Sequence, residues 1–135
     1  QESIRDDYDR ATYSAKKNAL FRQVLLACAM APADEFGRFQ PNDVCGPLAE
    51  ILGIDSCSHD RFAGHLTAFC ERDRVLFLNK MGSNYRGRYR FSNPLMQPYV
   101  LMKGIESGLI TEEKLKSMSE MDERYPLFGK QNDSN

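Results

Sequence analysis

No stretch of the chain approaches the roughly 18 consecutive apolar residues that a membrane-spanning helix needs, so no membrane partner is expected. The first ten residues, Gln1 to Arg10, are mostly charged or polar and do not read as a secretory leader. The chain opens on Gln rather than Met, which reads as a piece of something longer. No C-x-x-C pair is present: Cys28, Cys45, Cys57 and Cys70 are 17, 12 and 13 residues apart, a spacing that matches no common zinc pattern. Cys57, His59, His65 and Cys70 can be drawn as a ligand set, but close ligand pairs are missing. Four free thiols without metal are therefore expected, and with them a cytoplasmic location. Charge of either sign is not in excess. Eighteen basic residues meet nineteen acidic ones, a net charge of −1, which excludes a uniformly basic nucleic-acid binder.

What is present is enough apolar residue, 41% of 135, for one domain around one core. Charge is also unevenly placed. Arg72, Arg74, Lys80, Arg86, Arg88 and Arg90 face a single acid, Asp73, within residues 72–90, a local balance of +5. From Glu106 to the end, seven acids meet four bases. A basic block on a neutral chain suits a localised phosphate-binding face, and it equally suits a solvated hairpin.

The periodicities give an element order. Residues 1–13 read as a linker helix or arm, with Tyr8 and Tyr13 as anchors. Ser14 to Met30 reads as a helix with Phe21, Val24, Leu25 and Cys28 at i, i+3, i+4 and i+7; apolar on most sides, it should be central. Gly37 to Pro41 reads as one brief strand. Asn42 offers a cap for a second helix to Leu52, with Pro47 as a kink and Gly53 as a stop. Ser58 caps a third helix over 59–73, with Arg61, His65, Ala68 and Arg72 on one stripe beside Gly64. His59 and His65 read as exposed on it. Val75 to Lys80 reads as a strand, and Arg88 to Ser92 alternates as a half-buried one, Tyr89 and Phe91 inward, Arg88 and Arg90 outward. Asn93-Pro94 opens another apolar helix, in which Pro98 should cost a hydrogen bond. Thr111 caps a last polar helix within 111–128, and 129–135 reads as a disordered tail. The expected core is Phe21, Leu25, Leu48, Leu52, Phe62, Leu66, Phe69, Leu76, Leu78 and Phe91.

Three helices followed by a hairpin is the plan of a winged helix-turn-helix, mainly α with a small β-hairpin, over residues 14–110. The third helix would lie in the major groove. Arg61, His65 and Arg72 would then reach phosphates or base edges, Lys80, Arg86, Arg88 and Arg90 would supply the wing with Asn84 and Tyr85 near its tip, and Arg74 is a further DNA-binding candidate. The small Gly64 and Ala68 serve equally for packing on a protein element. Double-stranded DNA is the expected partner; the alternative is a protein surface. No nucleophile, base and acid can be assembled, so no catalytic site is expected.

Two runs add a resemblance. Phe21-Arg22-Gln23-Val24-Leu25-Leu26-Ala27-Cys28-Ala29 resembles the opening helix of the C-terminal domain in a family of bacterial AAA-type ATPases, relatives of the origin-recognition type of initiator. So does the run from Arg88 to Val100, RYRFSNPLMQPYV. The resemblance covers roughly residues 3–110. It implies a winged helix after an ATPase core, and ATP with Mg²⁺ bound by the full-length protein. This chain has no G-x-x-x-x-G-K-[ST] run, so no nucleotide site can be placed on it. On the resemblance, the alternative protein surface is its own ATPase core or another protein.

Overall fold

Val24 to Met30 are buried without a break, so the helix that carries them, α2 (Phe21–Met30), is the central one. The computed structural model describes residues 3–82 and 87–126. Against α2 pack α1 (Ile4–Thr12), α3 (Asn42–Leu52), α4 (Ala63–Phe69) and α5 (Met96–Glu106). A last helix, α6 (Glu112–Met121), is tied to α3 by an ion pair of Lys114 and Glu50 at 3.2 Å and buries Leu115 and Met118. The described residues are thus mainly helical, with a small antiparallel sheet. The expected start of α2 at Ser14 is too early, since residues 14–20 are irregular.

Local chemistry accounts for three of the helix ends. Ser3 and Thr111 each place a side-chain oxygen on the third backbone N–H of their helix, at 3.1 Å, which satisfies a donor that has no helical partner. Gly53 closes α3 in the left-handed region, φ 70°, and its N–H bonds back to Ala49 and Glu50. The expected cap at Asn42 is replaced: Asp43 turns back to accept from the Gln40 N–H at 2.8 Å. Pro47 sits inside α3, which continues past it to Leu52. Pro98 is the third residue of α5, where its missing N–H had no helical partner to lose, so it costs nothing there.

The sheet is a hairpin of β1 (Leu78–Met81) and β2 (Arg88–Phe91), with Leu78 opposite Phe91 and Lys80 opposite Tyr89. The brief strand expected near Gly37–Pro41 is a single bridge. Phe39 and Tyr89 exchange both backbone bonds, at 2.9 and 2.8 Å, so Phe39 flanks β2 on the side away from β1. Phe39, Phe77, Tyr89 and Phe91 form one aromatic cluster, with ring centroids 6.0–6.5 Å apart.

Two expectations about the middle of the chain are corrected. The helix expected over 59–73 is three pieces: a 3₁₀ turn at His59–Arg61, α4, and a second 3₁₀ turn at Arg72–Arg74. The strand expected from Val75 begins only at Leu78, because Val75 and Leu76 both stand in the left-handed region at φ 54° and 50°. That conformation is uncommon and costly for residues with a Cβ. It is held by the Val75 and Leu76 N–H groups bonding to Arg72 and Glu71 carbonyls. On the far side the Ser92 hydroxyl donates to the Leu76 carbonyl. The shift moves the buried position from Leu76, 43% exposed, to Phe77, fully buried. Leu25, Leu48, Phe62, Leu66, Phe69, Leu78 and Phe91 are buried as expected; Phe21 and Leu52 are partly so. Residues 1–13 bury Tyr8 and Ala11 in the common core, while Tyr13 stands exposed.

One close approach depends on a missing side chain. Gly104 of α5 lies against α2, and a Cβ there would fall 2.6 Å from Leu26 Cδ1. Leu26 is itself buried, so it has little room to yield.

Candidate functional site

Among the described residues expected to bind DNA, Arg74 and His65 turn into contacts within the fold. Arg74 is drawn inward. Its guanidinium lies 3.6 Å from the centre of the Phe21 ring, and one of its nitrogens donates to the Ala11 and Tyr13 carbonyls, each at 2.8 Å. Those are the last carbonyls around the end of α1, which have no helical partner. A cation there also opposes the negative end of the helix. Arg74 is therefore a clamp between α1 and the turn that precedes the hairpin.

His65 is drawn inward too. Its ring lies 4.7 Å from that of Phe21, half-buried rather than exposed as expected. Burial, with the Arg74 charge adding, lowers its pKa below the ordinary histidine value. A neutral imidazole against a phenyl ring is no phosphate contact. His59 is exposed and edge-on to Phe62.

Arg61 and Arg72 are exposed on the two 3₁₀ turns, as expected, but so are Asp60, Glu71 and Asp73 beside them. The exposed ionised side chains of residues 58–74 are thus two arginines against three acids. Small Gly64 and Thr67 share that exposure. Of the hairpin residues, Asn84, Tyr85 and Arg86 lie outside the described residues. Lys80 stands over the Tyr89 ring at 5.8 Å. Arg88 is half-buried. With the Gln40 amide turned so that its oxygen faces it, that oxygen accepts from both terminal guanidinium nitrogens, at 3.0 and 3.2 Å. Arg90, on the same outer face as Arg88, is exposed.

Arg90 instead stands at a cavity that the sequence reading missed. About 470 Å³ in volume, it lies between the end of α2, the loop after it, and the strand β2 with the turn that follows. Cys28, Ala31, Phe36, Phe39, Phe91 and Pro94 supply apolar wall, and among the described residues Arg90 is its only ionised lining residue. One wall is a knotted turn. Asp34 Oδ1 accepts from the Phe36 and Arg38 N–H groups, both at 2.9 Å, and Oδ2 pairs with Arg38 Nε at 2.8 Å. Donation from the Arg38 backbone, then from its side chain, holds the Asp34 pKa below the ordinary carboxylate value. Arg38 also lies 5.0 Å over the Phe36 ring. The sequence did carry a signal for this turn, an Asp three residues before a Gly.

Burial pushes the Cys28 thiol far up and keeps it neutral. The four cysteines are free thiols. Among the described residues no three His, Cys, Asp or Glu side chains come together as metal ligands, and no helix is long and apolar enough to cross a membrane. Compared with family models, with curated proteins and with solved structures, the chain matches none.

Proposed function

We propose that the chain is a winged-helix domain that works as a protein-docking module, the C-terminal part of an AAA-type ATPase whose full length binds ATP and Mg²⁺. The winged-helix reading rests on element order and on the Phe39 bridge, which puts the brief strand beside the second strand of the hairpin. The ATPase setting rests on the resemblance of the Phe21–Ala29 and Arg88–Val100 runs. Docking on a protein surface, its own ATPase core first, rather than reading duplex DNA, rests on one observation. The segment that would enter a major groove exposes three acids and two arginines, and its other candidates, His65 and Arg74, are spent inside the fold. A face that neutralises phosphates needs a surplus of cations.

Duplex DNA binding by the hairpin is the second reading. It is favoured by Lys80, Arg88 and Arg90, which face no acid within the described hairpin residues. Fluorescence anisotropy with random duplex at 50 and 200 mM salt separates the two. Docking predicts no saturable binding at either. Binding that weakens by about tenfold or more between those concentrations, as several phosphate contacts require, would overturn it. Replacing Arg88 and Arg90 with Ala would then test the hairpin directly. A pull-down of the isolated ATPase core by this chain is the positive test of docking.

A further inference from the structure

We propose that the cavity at Arg90 is a binding site for a small amphipathic carboxylate, an acid with one ring system or short apolar chain. The apolar part would fill the chamber, and the carboxylate would sit on the guanidinium. This goes beyond the docking reading and does not depend on which macromolecule the domain meets.

Four observations converge on that ligand. The volume, about 470 Å³, lies in the range of ordinary small-molecule pockets, roughly 300–1,000 Å³. The wall is apolar and aromatic, with Phe36, Phe39 and Phe91 contributing rings. Among the described residues Arg90 is its single ionised lining residue, no acid lines it, and no ion pair engages that guanidinium. Lastly, Phe36 is 60% exposed at this cavity, held there by the Asp34 knot rather than left loose. An aromatic ring exposed beside an apolar chamber gains contact area when a ring enters.

The charge and shape of the ligand follow from the single arginine. A guanidinium offers two parallel N–H donors that match a planar carboxylate. A phosphate dianion would bring a second charge and a larger hydration shell, with one cation to meet them. A neutral apolar ligand would leave the guanidinium beside it without a partner. Two polar donors of the wall are already engaged: the Ser92 hydroxyl donates to the Leu76 carbonyl, and Gln97 Nε2 donates to the Ala29 carbonyl at 2.9 Å. They help define the chamber's edge and do not compete for the acid.

The test uses the whole chain with 2-naphthoate and its neutral analogue 2-naphthamide, read by calorimetry and by amide chemical shifts. The expected result is saturable 1:1 binding of the acid with a Kd below about 1 mM, the affinity a ligand of that size can reach. The Ala31, Ala33, Gly37 and Ser92 amides should move. Arg90→Gln should weaken the acid by about tenfold or more, the worth of one charge-assisted hydrogen bond, and leave melting unchanged. The amide should bind the native chain as weakly as the acid binds that variant. Ala33→Phe, which fills the chamber, should abolish binding. Equal affinity for acid and amide, binding untouched by Arg90→Gln, shifts confined to another face, or no saturation to several millimolar would each overturn the proposal.

Discussion

The two ends of the basic block have opposite fates. Arg74, near its start, lies over Phe21 with both its hydrogen bonds inside the fold. Arg90, at its end, stands in water beside an apolar chamber. Arg74 thus rests on the Phe21 ring, whereas Arg90 lines one cavity with the Phe36 ring. One ring is part of the packed core edge, stacked edge-on against Phe69 at 5.8 Å; the other is exposed. The same residue type in the same run thus serves cohesion at one place and remains available at the other. What decides it is whether orphan carbonyls lie within reach.

The largest expected effect lies on the cohesive side. Phe69→Ala should cost about 3–5 kcal/mol, as for a fully buried aromatic, whereas Phe36→Ala should cost under about 1 kcal/mol, mostly its contact with Arg38. Chemical denaturation of both variants checks the contrast, and equal costs would erase it. Arg74→Ala should come next, at about 2–3 kcal/mol, since two charge-assisted bonds and a cation–π contact are lost at a site only partly shielded from water. Arg90→Ala should stay within about 0.5 kcal/mol.

A fifth variant probes the contact of α5 on α2. Gly104→Ala should gain up to about 1 kcal/mol in helix propensity and lose about 1–3 kcal/mol to crowding against Leu26. A net loss near 1 kcal/mol is expected in the same denaturation series. A gain would mean that Leu26 moves aside freely.

The smallest effect is a pH dependence. The pKa of His65 is lowered in the folded chain from its ordinary value near 6.5. Between those two values the unfolded chain binds a proton that the folded chain refuses. Stability should therefore fall as pH drops below about 6.5 and level off below the folded pKa. His65→Gln should remove that slope. In Arg74→Gln, the imidazole titration followed by NMR should move back up, because the Arg74 charge is one of its two causes. An unmoved titration would show that burial alone sets it.

Period-two and capping signals were readable in the sequence. Tyr89 and Phe91 face in while Arg88 and Arg90 face out, Thr111 caps, and Gly53 stops its helix. Each is written in adjacent residue types. The break-up of 59–73 was not, because no Gly or Pro marks it after Gly64. Glu71 simply turns extended and Val75 and Leu76 turn left-handed, held by backbone bonds that no side-chain pattern announces. For α1 the sequence left a linker helix or an arm open, because the helix fully buries only Tyr8 and Ala11, too few to set a stripe. The cavity joins α2, a loop and a strand far apart in sequence, and so has no periodicity at all.

The Arg74 clamp also makes a load path. It grips the end of α1 from a residue that directly precedes the left-handed pair and lies four before β1. A pull or twist applied to α1 reaches the left-handed turn, and from there the hairpin, by two routes: through one guanidinium, and through the core contacts of Tyr8 and Ala11. Cutting that one side chain would leave only the route through the core.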